Sequence, residues 1–376
     1  MSVKILHTAD LHIGAMESFL GERAKERRTE TLMTFERIID LARNEGVKYL
    51  LIAGDLFDFN GLEQYLVNAV FNAIGSAKDI NFIYSAGNHD PLDVNSPFLK
   101  VQIPENLFVM GTADTCFKFQ DDGVCFYGRS FKDIYCENCG KFTLTPEKDY
   151  INIMCIHGEL TNDTATGYNP LTPEFITSSG MDYIALGHIH KRSEIGRLGG
   201  VSFAYCGCPE GQGFDESGEK GVLLGEISKG SADLKFVKTA YRTHERLSFN
   251  VENLNTSSEI ADAVLNEISS KYGEGYQNGL YRIVLKGYVN DTAEISADSI
   301  CARLKSVLYF AKVKDETEEK VDLELLRKEP SLKGVFTDTV LKKIENATEE
   351  SEKEALKYAL KLGLKSFSKE VTFNEN

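Results

Sequence analysis

A chain of 376 residues, 42% hydrophobic and without Trp, is long enough for one large domain and one or two smaller ones. No apolar run approaches the roughly 18 residues a membrane span needs, and a net charge of −15 excludes a protein that grips nucleic acid through a broad basic surface, though not one that meets DNA locally. Eight Cys at irregular spacings do not make a disulfide framework, and the opening MSVKILHTAD runs into a strand pattern with no signal-peptide zones, so a cytoplasmic protein with reduced thiols is expected.

From the N-terminus, short β-rich runs alternate with helical patterns, which predicts βαβ units around a largely buried sheet. The runs are VKILH, VKYLLIA, INFIYSA, NLFVM, VCFYG, INIMCI and DYIAL. A helix is predicted from Thr29 to Asn44, with Leu32, Phe35, Ile38, Ile39 and Ala42 on one face and Gly46 as its stop signal, and a second over 62–77. After His190 the strands shorten and the turns become Gly-rich (VSFAYCG, GVLLGEI, ADLKFVKT), predicting a second sheet packed on the first. This first domain is expected to span 1–243. A small α/β module of order βαβαβ follows over 244–315, and a charged helical segment over 316–376 carries the stripe Leu332, Val335, Phe336, Val340 and Ile344.

Chemistry-bearing residues recur directly after the predicted strands. Asp10 and His12 follow the first, Asp55 and Asp58 the second, Asn88, His89 and Asp90 the third, His157 the run INIMCI, and His188 and His190 the run DYIAL. In open α/β sheets functional groups gather at the carboxyl ends of strands, so loops far apart in sequence can meet at one site. Asp, Asn and His without thiolate are the ligand set of Mn, Fe or Zn, and a carboxylate can bridge two cations that together clamp a phosphodiester. Each piece alone reads as an ordinary turn. Five pieces in order after five strands read as one metal centre.

These residues resemble the calcineurin-like metallophosphoesterase superfamily, whose pattern is D-x-H, G-D-x-x-D, G-N-H-D/E, H and G-H-x-H. Within it, HTADLHIG, ALGHIHK and YCGCPEGQGFDESGEKG look like the DNA repair exonucleases of SbcD and YhaO type, over roughly residues 3–240. The resemblance implies a four-layer α/β/β/α sandwich with a small α/β capping domain and a helical C-terminal segment. It implies a metal-dependent phosphodiester hydrolase, a nuclease subunit of DNA double-strand-break repair. Asp10, His12, Asp55 and His190 would hold one divalent cation and Asp55, Asn88, His157 and His188 the other, with manganese the implied ion and iron or zinc left open. His89 would stabilise the transition state or protonate the leaving 3′ oxygen, with Asp90 fixing that imidazole or its loop. Implied partners are DNA, an SMC-like coiled-coil ABC ATPase of SbcC/YhaN type and a second copy of the chain, and no membrane. A small-diester phosphodiesterase or phosphatase, or a non-catalytic DNA-end scaffold, remain as alternatives.

Cys208 stands where the family usually has Ser, and Asp58 where relatives often have His. Cys136-x-x-Cys139 with Cys206-x-Cys208 is weak as a zinc site and reads better as ordinary loop cysteines. His7 is expected in the core and His244 on a domain-boundary surface. Tyr281, Arg282, Lys286 and Tyr288 read as a solvated strand face before a nucleic-acid contact.

Overall fold

Near-continuous apolar runs form strands buried on both faces, and here they form two sheets rather than one. The computed structural model describes residues 1–94, 96, 100–136, 142–163, 166–290 and 293–368. Its first sheet has the order β12-β11-β1-β2-β3-β4, from β1 (Ser2–Thr8), β2 (Tyr49–Ile52), β3 (Asn81–Tyr84), β4 (Leu107–Val109), β11 (Gly221–Ser228) and β12 (Ser231–Lys238). β1 to β4 are parallel, and β11 and β12 add antiparallel beyond β1. The second sheet has the order β5-β6-β7-β8-β10-β9, from β5 (Thr115–Phe119), β6 (Val124–Gly128), β7 (Ile151–His157), β8 (Tyr183–Gly187), β9 (Gly196–Leu198) and β10 (Val201–Tyr205). β6, β7, β8 and β10 are parallel, with antiparallel edges at β5 and β9.

The period-2 alternation of each strand decides the layers. Leu6, Leu50, Ile52, Phe82 and Tyr84 face helices α1 (Ala24–Asn44) and α2 (Gln64–Ser76), meeting Phe35, Ile38, Ile39, Val70 and Ile74. Their sequence neighbours Ile5, Tyr49, Leu51 and Ile83 face the second sheet, meeting Phe126, Ile153, Tyr183 and Ala185. The outer face of the second sheet, Tyr127, Met154, Ile156 and Ile184, packs on Ile176 of α3 (Pro173–Ser178) and on Leu171 and Met181. Four layers, α/β/β/α, result. Each large buried side chain in them contributes roughly 1.5–3 kcal/mol.

Two expectations are corrected. The strands after His190 do not form the second sheet by themselves: β9 and β10 join it at one edge, β11 and β12 extend the first, and the second starts earlier, at β5. An apolar run reports burial on both faces but not its partner strand. The first helix also begins at Ala24 instead of Thr29. Its charged first turns are stabilised by ion pairs, because the Arg27 guanidinium, 1% exposed, meets Glu17 at 3.1 Å, Glu30 at 2.6 Å and Glu210 at 3.0 Å.

Beyond β12 the order is β13 (His244–Asn250), α4 (Ser257–Tyr272), β14 (Leu280–Lys286), β15 (Tyr288–Val289), α5 (Ala297–Lys305), β16 (Phe310–Asp315), β17 (Glu318–Glu319), α6 (Leu323–Leu326), α7 (Leu332–Asn346) and α8 (Glu350–Ser368). β13, β14 and β16 form a three-stranded sheet, and β15 pairs with β17. The chain divides into two compact units. One is Met1–Leu247 with Leu265–Ile283 and Cys301–Val313; the other is Ser248–Val264 with Val284–Ile300 and the described residues from Lys314 onward. Ser331 caps α7 by accepting the Gly334 N–H, while Leu332 and Val335 of its apolar stripe are exposed.

His244 is not a surface residue. It is buried against Phe19 and Phe214 with Nε2 3.2 Å from Glu17, a partner too distant in sequence for local pattern to show. Tyr281 is core, its hydroxyl donating to the Tyr276 carbonyl, so it does not share an exposed face with Lys286. Among the described residues no helix is long and apolar enough to cross a membrane.

Candidate metal centre

Both sheets contribute the carboxyl ends of parallel strands to one place. Asp10 and His12 follow β1, Asp55 follows β2, Asn88 and His89 follow β3, His157 ends β7, and His188 and His190 follow β8. The β2 loop must come very close to β7, and glycines permit it. A Cβ on Gly54, whose φ is +97°, would lie 2.1 Å from His157 Nδ1, and one on Gly87 would lie 2.1 Å from Asp55 Oδ1.

Asp55 is the common element. Its Oδ1 accepts the His89 N–H at 2.9 Å, while Oδ2 lies 3.7 Å from His12 Nε2 and 3.3 Å from His157 Nε2. On one side, His12 Nε2 and His190 Nε2 face each other at 3.0 Å, with Asp10 joining both as a close group of donors. On the other, Asn88 Oδ1 lies 3.0 Å from His157 Nε2, and the His188 ring stands 5.2 Å from the His157 ring. Separations near 3 Å are those of neighbouring donors around one ion with bonds of about 2.1 Å. The donors are nitrogen and carboxylate or amide oxygen, without thiolate, a set that suits divalent Mn, Fe or Zn. The residues present therefore fit such cations.

The partners fix the orientation of each donor. His157 Nδ1 donates to the Ala53 carbonyl at 2.9 Å, so that in the neutral ring Nε2 carries the lone pair. His190 Nδ1 donates to Glu216, and its carbonyl accepts the Lys220 ammonium at 3.0 Å. Asp10 accepts the His188 N–H at 2.9 Å, and the Asn169 amide donates to the His157 carbonyl at 2.6 Å. Backbone strain is concentrated here as well. Of the non-glycine residues with left-handed φ, Asp10 (52°), His12 (46°), Asp55 (49°) and His188 (100°) are prospective donors. Such conformations persist where surroundings over-determine them, typically at functional sites.

Electrostatics divides the histidines. Burial pushes His12 down to about 4, against Asp55, and pushes His188 down to about 4, with repulsion from His157 adding to it. Burial also opposes charge on His157, but the carboxylates of Asp55 and Asp10 win and lift it to about 9. Burial raises Asp10, while the charge and hydrogen bonding of His157 outweigh burial and hold Asp55 well below the usual carboxylate range. A cluster of carboxylates and imidazoles pulling in these directions is a common mark of an active site.

His89 stands at the open side, its side chain 41% exposed, with Nδ1 3.6 Å from Asp58 Oδ2, and Asp58 raises its pKa. Asp58 is thus the carboxylate that faces and supports His89. Both oxygens of Asp90 are taken elsewhere, by the Phe57 N–H at 2.9 Å, the Gly87 N–H at 2.8 Å and the Tyr84 hydroxyl, so Asp90 holds the loop and not the imidazole. Glu216 lies in the segment YCGCPEGQGFDESGEKG, where its F-x-E spacing from Phe214 is the one sequence signal that marks it. Cys208 is 1% exposed with Sγ 3.4 Å from Glu216 Oε2, too buried to touch substrate. Cys139 of the Cys136-x-x-Cys139 pair lies outside the described residues.

Residues 3–192 match the calcineurin-like phosphoesterase family. The chain belongs to that family. It is a metal-dependent phosphoester hydrolase whose family uses divalent metals, and the Asp and His clusters are its candidate ligands. It is 25% identical to "Uncharacterized metallophosphoesterase YhaO" of Bacillus subtilis, over 89% of this chain and 86% of that one. It is also 25% identical to "DNA double-strand break repair protein Mre11" of Sulfolobus acidocaldarius, over 89% and 90%, and 24% identical to the protein of that name from Methanopyrus kandleri, over 86% and 75%.

Proposed function

We propose that this chain is a DNA exonuclease or endonuclease subunit of a double-strand-break repair complex, with its chemistry in residues 1–243, a capping domain over 244–315 and a helical segment over 316–376. Asp10, His12, Asp55 and His190 would hold one cation and Asp55, Asn88, His157 and His188 the other, with manganese as the ion. The observation that carries the reading is the shared oxygen Asp55 Oδ2, within 3.7 Å of His12 and 3.3 Å of His157. Likeness to the Mre11 proteins over most of both chains supports DNA as substrate and an SMC-like coiled-coil ATPase as partner.

Two divalent cations at such a site neutralise phosphate charge and make water more acidic. The chain's own residues do the rest. The Ala53 carbonyl and Glu216 turn the Nε2 atoms of His157 and His190 inward. Asp58 favours the protonated form of His89, whose other nitrogen is left to donate a hydrogen bond to the phosphoryl oxygens or a proton to the departing 3′ oxygen. Asp90 keeps the loop of Asn88 and His89 in register with Phe57.

The test is manganese-dependent cleavage of linear duplex and single-stranded DNA by wild type and Asp55→Asn, with bis-p-nitrophenyl phosphate alongside. Cleavage by wild type, lowered at least 10³-fold in Asp55→Asn, is expected. Hydrolysis of the small diester with no DNA cleavage, even with a cognate ATPase added, would transfer the reading to a small-diester phosphodiesterase.

A further inference from the structure

The loop between β10 and β11 reaches the candidate metal centre, where Cys208 and Glu216 form a close group with His190. Glu216 on this loop has both carboxylate oxygens engaged. Oε1 accepts from His190 Nδ1, and Oε2 accepts the Gln212 N–H at 2.8 Å and faces the Cys208 thiol at 3.4 Å. The Glu216 side chain is 13% exposed and Cys208 1%. The imidazole it holds points its other nitrogen at His12, 3.0 Å away. The loop is itself anchored, since Arg27 of α1 pairs with Glu210 at 3.0 Å and donates to the Gly211 carbonyl at 3.0 Å.

The geometry points to Glu216 as a positioning residue: it fixes the His190 ring so that Nε2 faces the ion His190 shares with His12, and Cys208 supports the carboxylate as a thiol donor. This rests on the ligand assignment made above for His190. A carboxylate behind an imidazole does two things: it selects the Nδ1–H tautomer, and it stops rotation about the Cβ–Cγ bond. His157 needs no such residue, because a backbone carbonyl does the same work there. Serine at position 208, with an O–H in place of the S–H, would serve equally as the donor.

The experiment uses the full chain stripped with chelator and titrated with Mn²⁺ by calorimetry, together with electron paramagnetic resonance of the loaded protein and melting of the metal-free protein. Wild type should take up two ions and give the signal of a coupled pair. Glu216→Gln should bind one ion 10- to 100-fold more weakly, keep the affinity for the other, lose the coupled signal at sub-saturating Mn²⁺ and melt metal-free like wild type. Glu216→Ala should recover part of the lost affinity when formate is added. Cys208→Ser should stay within about threefold of wild type, because what it keeps is a hydrogen-bond donor. Unchanged affinity at both sites in Glu216→Gln would overturn the inference, as would loss of both ions together with a lower metal-free melting temperature. Loss in Cys208→Ser equal to that in Glu216→Gln would also overturn it, by making Cys208 and Glu216 ligands in their own right. Wild type that takes up no Mn²⁺ would instead sink the ligand assignment itself.

Discussion

His157 and His190 are two prospective ligands with opposite surroundings. His157 is fully buried at the end of β7, with Nδ1 on a backbone carbonyl and a glycine pressed against its ring. His190 is a third exposed, in a loop, with Nδ1 on the carboxylate of a residue 26 positions later. The first is oriented by the packing of two sheets and the second by a side chain. A backbone partner cannot be deleted by substitution, so the His157 side should yield only to changes in the ligand itself or in the glycine that admits it. The His190 side should be adjustable in steps.

The sharpest break of this contrast is His157→Ala. It removes a donor next to the shared Asp55 oxygen, and cleavage of DNA or of bis-p-nitrophenyl phosphate should fall more than about 10³-fold, with Mn²⁺ stoichiometry in equilibrium dialysis dropping below two. Gly54→Ala should come next, because it meets both a left-handed φ and a Cβ 2.1 Å from the His157 ring. A loss of about 2 kcal/mol in urea unfolding is expected, with activity lowered on the order of 100-fold. Survival of Gly54→Ala with wild-type activity would show that the β2 loop does not orient His157.

A smaller effect comes from a buried histidine away from the donors. Burial holds His7 at about 3, in contact with the Tyr183 hydroxyl at 2.9 Å. Its folded value lies below its unfolded value of 6.5, so between pH 6.5 and 3 the unfolded chain binds the extra proton. Stability therefore falls as pH drops through that window, by about 2 kcal/mol from this residue between pH 7 and pH 5. In His7→Asn the pH 7 to pH 5 difference in unfolding free energy should shrink by that amount. An unaltered difference would mean that His7 titrates normally in the folded chain.

The side chains that converge at this centre are legible in the sequence because their positions carry local information. Asp10 and His12, like His188 and His190, sit two apart just past apolar runs, and strand ends are where α/β folds collect chemistry. The four layers were anticipated through resemblance, yet the division of strands between sheets was not. Ile5 and Leu6 look alike in sequence, although one faces a sheet and the other a helix. Long-range partnership was hidden in the same way. Nothing near Arg27 announces Glu210, nothing near His244 announces Glu17, and Glu216 becomes informative only once His190 is seen beside it. The Asp58 and His89 pairing is hidden for the same reason, since it joins the ends of two different strands.

The left-handed dihedrals at Asp10, His12, Asp55 and His188 bear on how this centre can be interrogated. Asp, Asn and His tolerate that region several-fold better than most residues. Truncation to alanine at these positions would therefore perturb the main chain together with the side chain, and a drop in turnover would mix two causes. Asparagine exchanges at Asp10 and Asp55 keep the permissive backbone while removing the charge, which makes them the cleaner probes of what each carboxylate contributes.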